Sequence, residues 1–221
     1  MAQALAVPAA PVQGSRIVLY DVSWQTYEKL LEAFAEHPKL RMNYYQGTLE
    51  LMTPLPEHET YAWTLGRLIT VLTEELGMEI RGLKSTTWRS QLKAVGKEAD
   101  ECFYIQNEIK VRNKLDINLA NDPPPDLAIE IDKTNPSINK MEIYAELKVP
   151  EFWRYEAGKL IINILTATGY VDSETSLAFG TFPIKELTKF MHLDSQKGEN
   201  ARMREFREWV RYFCKEATLT D

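Results

Sequence analysis

Cysteine is scarce in this chain. Cys102 and Cys214 are the only two, far apart and without metal-ligand spacing, which leaves no thiolate metal centre to consider. They read as structural thiols, and the cytoplasm is the expected location. Histidine is nearly as rare, and three residues are too few for a His-rich metal centre. Basic charge is short as well: 26 Lys and Arg face 32 Asp and Glu, for a net charge of −6. That balance counts against non-specific nucleic-acid binding through a broad basic surface, although it leaves room for a local basic cleft. No apolar run has the length needed to cross a bilayer, so no membrane partner is expected. The opening Met1-Ala2-Gln3-Ala4-Leu5 lacks the basic start and apolar block of a secretory signal. Residues 1 to about 15 are rich in Ala and Pro and are expected to form a flexible tail. There is no internal repeat, and no helix-turn-helix or zinc-finger reader is visible.

What is present fits one globular domain. A length of 221 residues, 44% hydrophobic and 26% charged, supports a full core. Residues 16–195 are expected to form the domain, with 196–221 a charged helix packed on it or on a dimer partner. Asp21 to His37 reads as an amphipathic helix capped by Ser23 and stopped by Pro38. A hairpin around Gly47 should join strands 41–46 and 48–53. Pro54 and Pro56 then lead into a helix from about Glu57 to Leu76, ended by Gly77. Its apolar stripe runs through Tyr61, Leu65, Leu68 and Leu72, and His58 shares that face at the first turn.

Glu79 to Lys84 and Ser85 to Gln91 read as a strand and its continuation, and 96–105 as a turn running into one apolar strand. Lys110 to Asp122 is a polar surface excursion. Ser137 should cap a helix from Ile138 to Lys148, on which Lys140 and Tyr144 share a face. Strands at 149–156, 159–165 and 169–171 follow, then a short helix at 182–191 and the terminal helix at 199–215. Strands and helices without regular alternation predict a mixed α/β fold with a central mixed sheet flanked by helices.

The segment Pro123-Pro124-Pro125-Asp126-Leu127-Ala128-Ile129-Glu130-Ile131-Asp132 carries the chemistry. In a strand, Leu127, Ile129 and Ile131 line one face, and Asp126, Ala128, Glu130 and Asp132 the other. Stacked carboxylates on an ordered strand repel one another unless a cation sits among them. A divalent metal on oxygen ligands is the simplest such cation. With a lysine nearby, two carboxylates and Mg²⁺ suit phosphodiester hydrolysis. Bland alternatives stand beside this reading. Asp126 could cap the start of the strand through backbone amides, Glu50 could pair with a basic neighbour, Asp132 could belong to a turn, and Lys140 could be a solvated helix lysine.

Asp100, followed thirty positions later by Glu130-Ile131-Asp132, resembles the PD-(D/E)XK nuclease pattern. Tyr45-Gln46-Gly47-Thr48-Leu49-Glu50-Leu51-Met52-Thr53-Pro54, with His58-Glu59 behind it, resembles the restriction-endonuclease domain family common in cyanobacteria. Pro125 to Glu130, Lys140, Tyr144 and Val149-Pro150-Glu151-Phe152-Trp153 resemble it too, so that the likeness spans about 17–190. The resemblance implies a restriction-endonuclease-like fold and hydrolysis of DNA with Mg²⁺ or Mn²⁺. Asp100 and Glu130 would be the metal-binding carboxylates, with Ile131 taken as a further ligand position, and Glu50 and His58 accessory groups at the rim. Two departures from the pattern matter. Ala99 stands where the pattern has proline, and Asp132 stands where its lysine belongs. Lys140 is expected to supply that charge from the next helix, ahead of the adjacent Lys133, which should point to the other face. Nucleases of this type often pair to cut both strands, so a homodimer with a two-fold axis is expected, with Trp209 and Phe213 of the terminal helix as its suggested contact.

Overall fold

The computed structural model describes residues 14–37, 40–84, 86–132, 138–192 and 196–219, with side chains as far as 215. The expected tail before residue 14, the Pro38 stop, and the turn at 133–136 with Lys133 lie outside the described residues, and the helix expected from Ile138 under a Ser137 cap instead starts at Lys140, with Asn139 capping it by accepting the Met141 amide at 3.1 Å. The fold is mixed α/β, with its strands divided between two sheets.

The first sheet has five strands in the order β1-β3-β2-β6-β5, all antiparallel. These are β1 (Arg16–Leu19), β2 (Arg41–Tyr45), β3 (Thr48–Met52), β5 (Thr87–Ser90) and β6 (Val95–Glu98). Gln46 and Gly47 both take positive φ, at 45° and 90°, which suits the tight turn of the β2–β3 hairpin. Helix α1 (Trp24–Ala33) covers this sheet and is shorter than the sequence suggested. Ser23 caps it by accepting the Thr26 amide at 3.2 Å, as expected, and it ends before the turn that contains His37. Trp24 and Tyr27 pack on Tyr44, with the Tyr27 and Tyr44 rings stacked at 4.7 Å. Gly96 is required there, because a Cβ at that position would lie 2.6 Å from Tyr27 Cζ.

The second sheet has six strands in the order β11-β10-β9-β8-β7-β4. Its members are β4 (Arg81–Gly82), β7 (Glu101–Tyr104), β8 (Leu127–Asp132), β9 (Glu151–Glu156), β10 (Lys159–Thr166) and β11 (Gly169–Ser173). Strand β8 pairs antiparallel with β7 and parallel with β9, so the sheet is mixed. All six residues of β8 are buried, as a central strand covered on both faces requires. Leu127, Ile129 and Ile131 join the core under α2 (Pro56–Glu75) and α5 (Glu199–Leu219), while Ala128 joins the core under α4 (Lys140–Glu146). The alternation read from the sequence therefore separates two cores.

Four segments differ from expectation. The region 96–105 is two strands rather than one: β6 and β7 belong to different sheets, and the chain crosses between them at Ala99-Asp100. The stretch read as one strand and its continuation at 79–91 is likewise split, with β4 in the second sheet and β5 in the first. The excursion after β7 opens with a single helical turn, α3 (Glu108–Val111). A 3-10 helix at Ile184–Phe190 stands where a short helix was expected. On α5, Met203, Phe206 and Val210 are buried, and Trp209 stacks on Phe206 at 5.7 Å and meets Phe182 and Phe190. Its apolar stripe is thus used within the chain.

Candidate active site

The two sheets meet at a cavity of about 100 Å³. Asp100 reaches it from the crossing between β6 and β7. Glu130, Ile131 and Asp132 come from the carboxyl end of β8, where ligands of open α/β sheets commonly sit. Glu50 arrives from β3, His58 from the first turn of α2, and Lys140 from the first turn of α4. Every residue singled out in the sequence as catalytic or metal-binding lines this one cavity. Asp126 does not. Its carboxylate accepts the Ile105 and Asn107 amides at 2.7 and 2.8 Å, so it ties the start of β8 to the chain after β7.

The buried carboxylates are each matched by cations. Asp100 Oδ2 lies 3.0 Å from His58 Nε2 and accepts the Ile131 amide at 2.8 Å. Glu130 holds a lysine on each oxygen, with Lys97 Nζ 2.8 Å from Oε1 and Lys140 Nζ 2.7 Å from Oε2. The Tyr144 hydroxyl donates to Oε1 at 2.5 Å. Lys140 also donates to Asp132 Oδ1 at 2.5 Å. Glu50 accepts from Asn43 Nδ2 at 3.0 Å and lies 3.4 Å from Arg16 Nε. Arg41 binds Glu98, Glu59 and the Ala99 carbonyl.

Protonation follows from these contacts. Burial would lower the His58 pKa, but the hydrogen bond and charge of Asp100, helped by Glu59, lift it to about 9. His58 is therefore cationic at neutral pH. Burial would raise the Asp100 pKa, yet His58, Lys140 and Lys97 together hold it well below the usual carboxylate range. Lys140 behaves alike: desolvation opposes its charge, and Glu130, Asp132 and Asp100 more than restore it. With His58 charged, the cavity wall carries five cations (Arg16, Arg41, His58, Lys97, Lys140) against five carboxylates (Glu50, Glu98, Asp100, Glu130, Asp132). Among the described residues of the wall, acidic and basic groups are equal in number.

Comparison with known proteins assigns the family. Residues 24–188 match Uma2, whose description is "Putative restriction endonuclease". The chain belongs to the Uma2 family. A crystal structure titled "a putative nuclease belonging to DUF820", from Anabaena variabilis, is 14% identical, with 81% of this chain and 98% of that chain covered at a TM-score of 0.41. No curated protein matches. No helix among the described residues is long and apolar enough to cross a membrane.

The donor set of this Uma2 chain suits a hard divalent cation: two buried carboxylates, Asp100 and Glu130, with the Ile131 main chain and Asp132 beside them. Among the described residues, however, no group of three or more His, Cys, Asp and Glu side chains is drawn together as a metal cluster. Ammonium groups, not further carboxylates, surround Glu130. The chemistry fits; an ion would share Glu130 with lysines already there.

Lys97 is the residue that sequence reading missed. The sequence placed it in a turn and gave it no role. In fact β6 runs through it, and the residues two positions to either side, Val95 and Ala99, are fully buried, as is 97% of the Lys97 side chain. A lysine spaced by two between small apolar residues was the available signal. Tyr144 is one turn from Lys140 on α4, and its hydroxyl on Glu130 gives that shared face its purpose. Arg16 and Arg41 also line the cavity, though no pattern in the sequence marks them out.

Proposed function

We propose that this protein is an endonuclease that hydrolyses DNA phosphodiester bonds, using Mg²⁺ or Mn²⁺ held by Asp100, Glu130 and the Ile131 main chain. The observation that carries the reading is convergence. Asp100, Glu130 and Lys140 lie on three separate elements and line one cavity, in a chain of the Uma2 family. Bound there, the cation would polarise a phosphate oxygen and lower the pKa of a water. The remaining work falls to the chain's own side chains.

Lys140 keeps a positive charge at Nζ, where it offsets the charge that builds on the phosphate as water adds. Asp132 stands where the nuclease pattern has its lysine and cannot supply that charge itself. Its contact with Lys140 supports a positioning role, holding the migrated lysine beside Glu130. His58 keeps Asp100 ionised and oriented, and the Tyr144 hydroxyl fixes Glu130. Arg16 and Arg41, with Glu50 as partner to Arg16, suit contacts with phosphates at the rim. A balanced wall that gains a dication becomes positive, which favours a phosphodiester over a neutral substrate.

Incubation with plasmid DNA and Mg²⁺ or Mn²⁺ tests this. Cleavage that is lost in Asp100→Ala and Glu130→Ala is expected, and cleavage unchanged by both would overturn the assignment. A second reading, a nuclease fold that binds DNA or protein without cutting, is favoured by the lysines on both Glu130 oxygens. Calorimetry separates the two: Mn²⁺ binding lost in Glu130→Ala supports the enzyme, and absence of binding supports the module. We further propose a cytoplasmic homodimer, for which a monomeric sedimentation profile at high concentration would be the contrary result.

A further inference from the structure

Among the described residues Lys97 has one carboxylate within salt-bridge distance, Glu130, although its charge also acts on Asp100 and Glu98. Its Nζ also donates to the Glu98 carbonyl at 2.6 Å and lies 5.9 Å from the centre of the Tyr144 ring. Lys140 differs, because Asp132 offers it a second carboxylate at 2.5 Å. A cation drawing on both oxygens of Glu130 can push Lys140 toward Asp132 with its charge still matched. Lys97 has no such retreat: its only other acceptor is a neutral carbonyl, and its side chain is almost wholly sealed from water. Its charge stays close to whatever Glu130 binds.

We propose that Lys97 is a built-in competitor for the divalent cation at Glu130, weakening metal binding by occupying Oε1 and by repelling the incoming charge. The inference rests on the metal-site reading above and adds to it what limits the affinity of that site. A solvent-exposed lysine would have little influence of this kind, because water screens it. At an effective dielectric of about 20, a buried unit charge roughly 5 Å from a dication alters its affinity by on the order of tenfold or more, even after desolvation takes most of the Coulomb energy.

The test is Mn²⁺ titration of the full chain by calorimetry, without DNA, comparing wild type with Lys97→Met and Lys97→Gln. Methionine fits the apolar surroundings of Val95, Ala99 and the Tyr144 ring, and Lys140 and Tyr144 still hold Glu130, so both variants are expected to fold by circular dichroism. The expected result is Mn²⁺ affinity at least about tenfold tighter in both. Damage to the fold would move affinity the other way, so tightening is diagnostic. Wild type and variants binding Mn²⁺ equally, or the variants more weakly, overturns the role of Lys97 and leaves the metal reading intact. If neither wild type nor variants bind Mn²⁺, both fall. If the variants alone bind measurably, Lys97 is confirmed as the obstacle.

Discussion

Replacing Glu130 by Gln should destabilise the protein, and the sign is informative. Where carboxylates crowd together for catalysis, neutralising one relieves repulsion and usually stabilises the fold. Here Glu130 carries an ammonium at 2.8 Å on one oxygen and another at 2.7 Å on the other. At an effective dielectric of about 20, each contact is worth about 6 kcal/mol of Coulomb attraction before desolvation. Asp100 and Asp132 repel Glu130, but Asp100 is paired with His58, and Asp132 shares Lys140 with Glu130. The variant leaves Lys97 without a carboxylate, facing only neutral acceptors (the Glu98 carbonyl and the new amide oxygen), whereas Lys140 retains Asp132. Leaving one buried charge uncompensated costs about 3–5 kcal/mol. Urea denaturation at neutral pH with EDTA should therefore show a loss of that size for Glu130→Gln at unchanged m. The double variant Glu130→Gln/Lys97→Met, which removes the stranded ammonium, should recover a large part of it. A Glu130→Gln protein as stable as wild type, or more stable, would refute the charge-balanced description of the cavity.

Asp132→Asn keeps the size of the side chain but removes the charge that holds Lys140. DNA cleavage should fall by about tenfold or more with DNA affinity little changed, and wild-type turnover in this variant would remove Asp132 from the machinery. Glu101 makes a pH prediction. Burial against α2, only partly offset by Lys84, lifts its pKa from 4.5 to about 7. Between those values the folded protein holds a proton that the unfolded chain has released, so this group's contribution to stability declines as pH rises from 4.5 through 7. Glu101→Gln should gain up to about 3 kcal/mol at pH 8 and nothing at pH 4; parallel stability curves for variant and wild type would contradict this.

The local elements and the carboxylate strand are legible in the linear chain. Ser23, Gly47, Pro56 and Gly77 delimit helices and turns through short-range geometry, and the two-residue period of Leu127 to Asp132 assigned each side chain of β8 to a face. Those signals depend on neighbours within a few positions, so they survive in a linear reading. The residues expected to carry the chemistry came from the resemblance to the nuclease pattern, with Lys140 taken as its lysine moved to the next helix, and the fold brings them to one cavity. How charge is distributed among them depends on which strands pack side by side. Asp100 sits at the crossing between two sheets, in a segment that read as a turn running into one strand, and Lys97, outwardly a turn lysine, is sealed against Glu130, 33 positions away in sequence. For Asp126 the fold selects the capping alternative, in which its carboxylate accepts the Ile105 and Asn107 amides. Ion pairing in a buried site acts through space at a few ångströms and depends on which strands become neighbours, information that no local period contains.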